Sequence, residues 1–305
     1  MSSKSQLSTS RTGILSVSTS AILWGTVGIA TQAIYQRSDL AAVTVGFYRL
    51  SFAFPIVALL CWKIVDKQQL RVGYREYWKM VLIGILLASY QVFFFASISY
   101  VGVAVATLIT LCTAPVLVSV LSVVCLKEAL TGYTMSALLA ALSGTVLLVG
   151  LPEQGALQGN VAMGVLLALG SATGYAIVAL MGRTIAATCH PALSTTVSFG
   201  VGAIVLFPLA ASNVFSATYS MQIWELILYV GLVPTAVAYT LFFFGMRCIK
   251  ASTASILTLL EPLTATVLAW AFFAEQLAPS GIIGASLLLG AIVILFKGEK
   301  SVKKG

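Results

Sequence analysis

Residues 260–277 read "LEPLTATVLAWAFFAEQL". The run is apolar enough for lipid, yet it holds a carboxylate, Glu261, beside a proline, Pro262. A charged side chain near a bilayer centre costs at least ~3 kcal/mol, and proline removes a backbone donor from a helix. The same layout occurs earlier in the chain. "TAPVLVSVLSVVCLKEAL" at 113–130 aligns Pro115 with Pro262 and Glu128 with Glu275. "SYQVFFFAS" at 89–97 likewise resembles "AYTLFFFGM" at 238–246, matching Tyr90 with Tyr239 and Phe93, Phe94 and Phe95 with Phe242, Phe243 and Phe244. Phe54-Pro55 and Phe207-Pro208 form a weaker pair. The chain is therefore expected to be two repeats, 13–151 and 160–297, joined by the polar "LPEQGALQGN" at 151–160.

Composition says where those repeats reside. Of the 305 residues 59% are hydrophobic and 9% charged, with a mean hydropathy of +1.02. A soluble domain carries about 25% charged residues, so this is an integral membrane protein. Crossing the hydrocarbon core takes about 20 apolar residues as a helix. On that length the sequence predicts ten spans: 13–34, 41–62, 80–99, 102–126, 132–151, 160–182, 191–211, 223–246, 251–273 and 280–296. The apolar stretch of the first exceeds the ~7 to 15 residues of a signal h-region and is expected to stay in the mature protein. The fold class is all-α, ten transmembrane helices in two halves of five. Because five is odd, the halves lie in the membrane with opposite orientation, the inverted-repeat design that recurs in secondary transporters.

The same composition excludes other classes. The five cysteines are odd in number, without CxxC spacing, and lie in or beside apolar runs, so they predict neither disulfides nor a zinc site. With a single histidine, His190, and no HExxH, GxxxxGK[ST] or GxSxG motif, the parts for metal, nucleotide and serine-hydrolase chemistry are missing. No cofactor, metal or catalytic residue is expected, and the chain reads as a transporter, not an enzyme. The Cys189-His190 pair lacks partners for a metal and reads as a surface feature.

Lys and Arg concentrate in cytoplasmic segments near span ends. Placing the N-terminus inside puts fifteen of the seventeen basic residues there, including Lys63, Lys67, Arg71, Arg75 and Lys79 of the longest basic loop. Both termini are thus expected in the cytoplasm. The net charge of +8 then needs no nucleic-acid partner. The expected surroundings are a lipid bilayer.

Glu261 lies ten residues from the start of the ninth span, ~15 Å deep in a ~30 Å core. It either faces a cavity, binding an amino group or taking up a proton as the coupling candidate, or it is a structural carboxyl bonded to neighbouring helices. Arg49, ~12 Å into the second span, reads a substrate carboxylate or phosphate with its planar fork, or pairs with carbonyls or an acid. Pro115 and Pro262 are the expected helix breakers. Trp24, Tyr90, Gln91, Phe94 and Tyr239 could line an apolar pocket with polar handles, or simply pack. "GSATG" at 170–174 is a GxxxG element for close helix contact.

"FYRLSF", the proline-bearing fourth span followed by "LKEALT", "LLEPLTA" and "FAEQL" together resemble the EamA family of the drug/metabolite transporter superfamily. The likeness covers nearly all of 13–296. It departs at Ala114, and the second repeat has no arginine matching Arg49. The resemblance implies that spans one to four and six to nine enclose a central cavity, with five and ten packed outside. It also implies a functional monomer in a bacterial inner membrane, moving a small molecule by alternating access. One buried cation and one buried anion beside that cavity suggest export of small zwitterions, amino acids foremost. The alternative is export of organic cations or drugs; a channel or a membrane-embedded enzyme is a weaker rival.

Overall fold

The computed structural model describes residues 3–66, 68–150, 160–216, 219–273 and 278–301. Glu275 and the 151–159 linker lie outside these residues. Ten helices are long and apolar enough to cross a membrane: Ser10–Tyr35, Ala42–Ile64, Tyr74–Val103, Val105–Leu126, Gly132–Val149, Val161–Ala186, Pro191–Ala211, Met221–Gly245, Ala251–Phe272 and Pro279–Gly298. They are called the first to tenth spans below. All ten expected spans are present, several of them longer than hydropathy alone suggests. The third begins at Tyr74, not 80, and reaches the fourth without a loop, the chain reversing through Gly102 at φ 77. Only glycine adopts that backbone without strain.

Packing follows the repeat. The first span lies against the eighth and ninth, and the sixth, its counterpart, against the third and fourth. Second packs on seventh, and fifth on tenth. The third and seventh are tied by Ser198 Oγ donating to the Met80 carbonyl at 2.9 Å, and their counterparts, the eighth and second, by Arg49 and Thr235. Exchanging the two halves therefore maps every one of these contacts onto another, as a two-fold axis in the membrane plane requires.

Without a hydrophobic drive between helices in lipid, close approach relies on small residues. At the fifth–tenth seam a Cβ added to Gly144 would come within 2.7 Å of the Gly284 carbonyl. The "GSATG" element also packs: a Cβ on Gly174 would meet the Cβ of Tyr90 at 2.9 Å, so this glycine sets how deeply the third span seats against the sixth. Large apolar side chains such as Leu139, Ile204 and Phe272 point outward and are well exposed, as contact with lipid tails demands.

Candidate functional site

The ninth span is where sequence most directly shapes the site. Its helix runs Ala251–Leu257, turns at Thr258 and Leu259, and resumes over Leu260–Phe273. Pro262 has no N–H to give the carbonyl of Thr258, four residues back. That carbonyl is taken instead by the amide of Glu261 at 2.9 Å, three residues on. The Leu259 amide makes a similarly tight bond to Ile256 at 3.1 Å. Thr258 Oγ1 donates to the Ser255 carbonyl at 2.8 Å and Ser255 Oγ to the Ser252 carbonyl at 2.9 Å. The span is thus discontinuous, and its break presents Thr258, Glu261 and Pro262 to a cavity.

Pro115 behaves differently from expectation. The fourth span stays helical through it from Val105 to Leu126, as the second and seventh do through Pro55 and Pro208. One lost donor alone does not interrupt a membrane helix whose other bonds persist. Pro115 is therefore no helix breaker here, although it lines the same cavity.

A second irregularity sits opposite. The eighth span passes through a π-helical turn, Leu232–Val237, around Pro234; such turns within α-helices cluster at functional sites. Thr235 Oγ1 donates to the Val230 carbonyl at 2.7 Å, five residues back, and accepts from Arg49 Nε at 3.1 Å. Thr235 thereby holds the guanidinium by its Nε edge. The turn was invisible to hydropathy, which does not register a shift of one residue in helical pitch.

The cavity has a volume of about 1290 Å³. All six side chains expected to bind substrate, Trp24, Arg49, Tyr90, Gln91, Tyr239 and Glu261, line it, as does Phe94. Arg49 and Glu261 form no ion pair with each other, and no hydrogen bond reaches the Glu261 carboxylate among the described residues. Four other side chains of the lining bury a polar atom without a partner: Gln91 Oε1, whose amide Nε2 donates to the Leu87 carbonyl at 3.0 Å, Trp24 Nε1, Thr31 Oγ1 and Ser171 Oγ.

Between the charges lies an aromatic cluster. Tyr90 and Tyr239 share a 2.7 Å hydrogen bond between their hydroxyls. Trp24 packs on Tyr239 with ring centroids 4.9 Å apart, and Tyr175 on Tyr90 at 6.1 Å. Tyr175 also donates to Thr258 Oγ1 at 3.4 Å. Sequence reasoning missed Tyr175. The signal was the faint match of "SAILWG" at 20–25 to "SATGYA" at 171–176, which pairs Trp24 with Tyr175. With that pair the cluster is symmetric: each tyrosine of the central pair is covered by a ring from the other half of the chain.

The cavity's lining reaches span ends on one side of the bundle. Its rim is formed by Tyr35, Gln36, Ala42, Val103, Gly150 and Ala278, all at or beside span ends on one side of the bundle. At the other side Ala251, Ser252 and Ala254 are buried. His190, expected at the surface, is half-buried there: its Nδ1 accepts the Ala192 N–H at 3.3 Å, capping the seventh span. Burial, then the neighbouring Arg247 guanidinium, hold its pKa below the usual histidine value. No three metal-ligating side chains converge among the described residues.

Comparison with known proteins agrees with this architecture. The chain is 32% identical over 93% of its length to the "Uncharacterized transporter YwfM" of Bacillus subtilis (strain 168), covering 93% of it. It is 28% identical to an "Uncharacterized transporter" of Archaeoglobus fulgidus, over 94% of this chain and 97% of that one. An "Uncharacterized inner membrane transporter YicL" of Salmonella typhimurium is 23% identical over 95% and 96%. A solved structure described as "Crystal structure of protein" superposes with a TM-score of 0.77 over 93% of this chain and 96% of its own, at 19% identity, which bears on the fold alone. The profile of the EamA-like transporter family matches residues 11–150 and again 162–297. Two copies of one family unit, together spanning nearly the whole ten-helix bundle, make this chain a member of the EamA-like transporter family.

Proposed function

We propose that this membrane transporter exports small zwitterionic metabolites, amino acids foremost, by alternating access. Arg49 and Glu261 are the two poles of its substrate site, and Trp24, Tyr90, Gln91 and Tyr239 are its walls. One observation carries the reading: a guanidinium and a carboxylate face a single cavity without pairing with each other. Opposite charges kept apart inside a membrane are costly, and a molecule bearing both a carboxylate and an ammonium satisfies both at once. The free edge of Arg49 suits a carboxylate fork. The unpaired Gln91 Oε1 and Trp24 Nε1 supply one acceptor and one donor, the sparse polar handles typical of small-ligand pockets.

The concentration of basic residues supports a cytoplasmic location for both termini and for the end of the bundle near Lys250, which would have the cavity face outward. A bacterial inner membrane fits the relatives. Since the cavity lies between the two halves of one chain, a monomer suffices for function, and Glu261 is the group through which a proton gradient would couple.

The test is a thermal-shift screen of amino acids, amines and nucleotides on purified protein, followed by counterflow in vesicles. A ligand at 100 times its Kd adds ~2.7 kcal/mol. Amino acids are expected to stabilise the protein and their amides or decarboxylated amines to do so far less. The aromatic cluster beside Glu261 also suits an organic cation. Stabilisation by amines that Arg49→Lys leaves untouched would replace the zwitterion reading with that one.

A further inference from the structure

The fourth span ends in a feature that the substrate site does not explain. Lys127 adopts the left-handed conformation, φ 54 and ψ 33, the only non-glycine residue among those described to do so. A side chain is costly in that region, and such outliers persist where the surroundings impose them. The turn is locked by the amides of Lys127 and Glu128, both donating to the Ser122 carbonyl. Its effect is to turn Glu128 back across the boundary between the two repeats.

There Glu128 meets the ninth span. Its carboxylate accepts from the Ala251 amide at 3.1 Å, from Ser252 Oγ at 3.3 Å and from the Ser252 amide at 3.5 Å. The residue that would ordinarily cap this helix from within, Lys250, makes no side-chain cap. Its ammonium instead reaches the Ala129 carbonyl at 2.7 Å. From the sixth span Arg183 Nε lies 3.8 Å from Glu128 Oε1. The start of the ninth span thus grips one turn of the first repeat, with the sixth span's Arg183 beside it. The Glu128 side chain is only 10% exposed, and Ser252 is fully buried.

This clasp lies at the end of the bundle opposite the cavity rim. Below the substrate site the ninth span runs from Leu257 down to Ser252 with no cavity-lining residue. Opening that end requires the fourth and ninth spans to part, and the bonds of Glu128 to Ala251 and Ser252 and of Lys250 to Ala129 all cross that seam. We propose that Glu128 is the positioning residue that keeps the transport cavity closed on the side of Lys250, by capping the other repeat's ninth span, and that releasing it is the step that turns the cavity around. The inference rests on the alternating-access reading but not on any choice of substrate.

The test is the distance across the closed end. In a cysteine-free background, spin labels at Tyr133 and Arg247 flank the clasp from the two repeats. Wild type is expected to show a dominant short distance. Glu128→Ala should raise the ratio of long to short by about fivefold or more, the scale of a lost helix cap, with Glu128→Gln in between. A Glu128→Asp variant that restores part of the short population would mark the carboxylate, not the bulk, as the cause. Two populations in wild type left unchanged by all three variants would overturn the clasp while leaving alternating access intact. A single distance in every variant, with and without added amino acids, would sink alternating access itself. Should the alanine variant fail to fold, the Gln and Asp variants carry the same comparison.

Discussion

At the scale of single residues the two charges make separable demands. Arg49 is fixed by one edge to Thr235, leaving the terminal nitrogens to the cavity. Arg49→Lys keeps the charge and loses both the Nε bond and the fork. Transport is expected to fall at least about tenfold, the effect of roughly 1.4 kcal/mol in transition-state binding, while the melting temperature moves little. Normal transport would show that no carboxylate is read there, and loss of the protein from the membrane would make the arginine structural. Glu261→Gln preserves size and most hydrogen-bonding capacity but removes charge and titration. Wild-type vesicles are expected to change flux with an imposed pH gradient and the Gln variant to lose that response, with counterflow exchange retained. Flux indifferent to pH in both proteins would leave a facilitated carrier. The cationic and anionic poles were legible in the sequence because an ionised residue within a span stands out against apolar neighbours. Tyr175 and Thr235 were not, since a tyrosine or threonine in a membrane helix is ordinary until its partners are known.

At the scale of elements, two stretches of irregular backbone serve the site: the turn at Thr258–Leu259 lines the cavity, and the π-helical turn at Leu232–Val237 reaches it through Thr235, which holds Arg49. Proline alone did not announce them, because Pro55, Pro115 and Pro208 sit in unbroken helices. At the two irregular stretches Ser255, Thr258 and Thr235 bond nearby carbonyls. Spans and their order were readable from length and hydropathy, and an interruption of the ninth span from Pro262; the π-helical turn was not, because hydropathy averages over several turns. The start of the seventh span offers a titratable test. His190 Nδ1 accepts a backbone N–H, which requires the neutral ring, and its pKa is lowered in the fold. A lowered folded pKa means that the contribution is present above the ordinary histidine value and is lost as pH falls below it. Melting at pH 8 should therefore show a cap of about 1 kcal/mol that His190→Ala removes. Between pH 7 and 5 wild type should lose stability relative to His190→Asn, which caps without titrating. Parallel pH profiles would show that the cap is not made.

At the scale of the whole molecule, topology is the first thing to check. In a cysteine-free background, a single cysteine at Gln68 should be labelled by a membrane-impermeant reagent only after the cell is opened, and one at Gln36 in intact cells. Labelling of Gln68 from outside would reverse the orientation, and with it the side to which the cavity opens. The fold itself was legible at this scale because an odd number of spans per repeat admits only opposed halves. The exchange of contacts between those halves has a thermodynamic consequence. Were the halves identical in sequence, the arrangement open to one face and that open to the other would be degenerate, each the rotated copy of its counterpart. Whatever ground-state bias such a carrier has must then come from positions where the match fails, among them Arg49, which has no partner in the second half, and Glu261, which aligns with Ala114, with, among the described residues, the π-helical turn of the eighth span and the break in the ninth. On the alternating-access reading, making the halves more alike should bring the two populations toward equality.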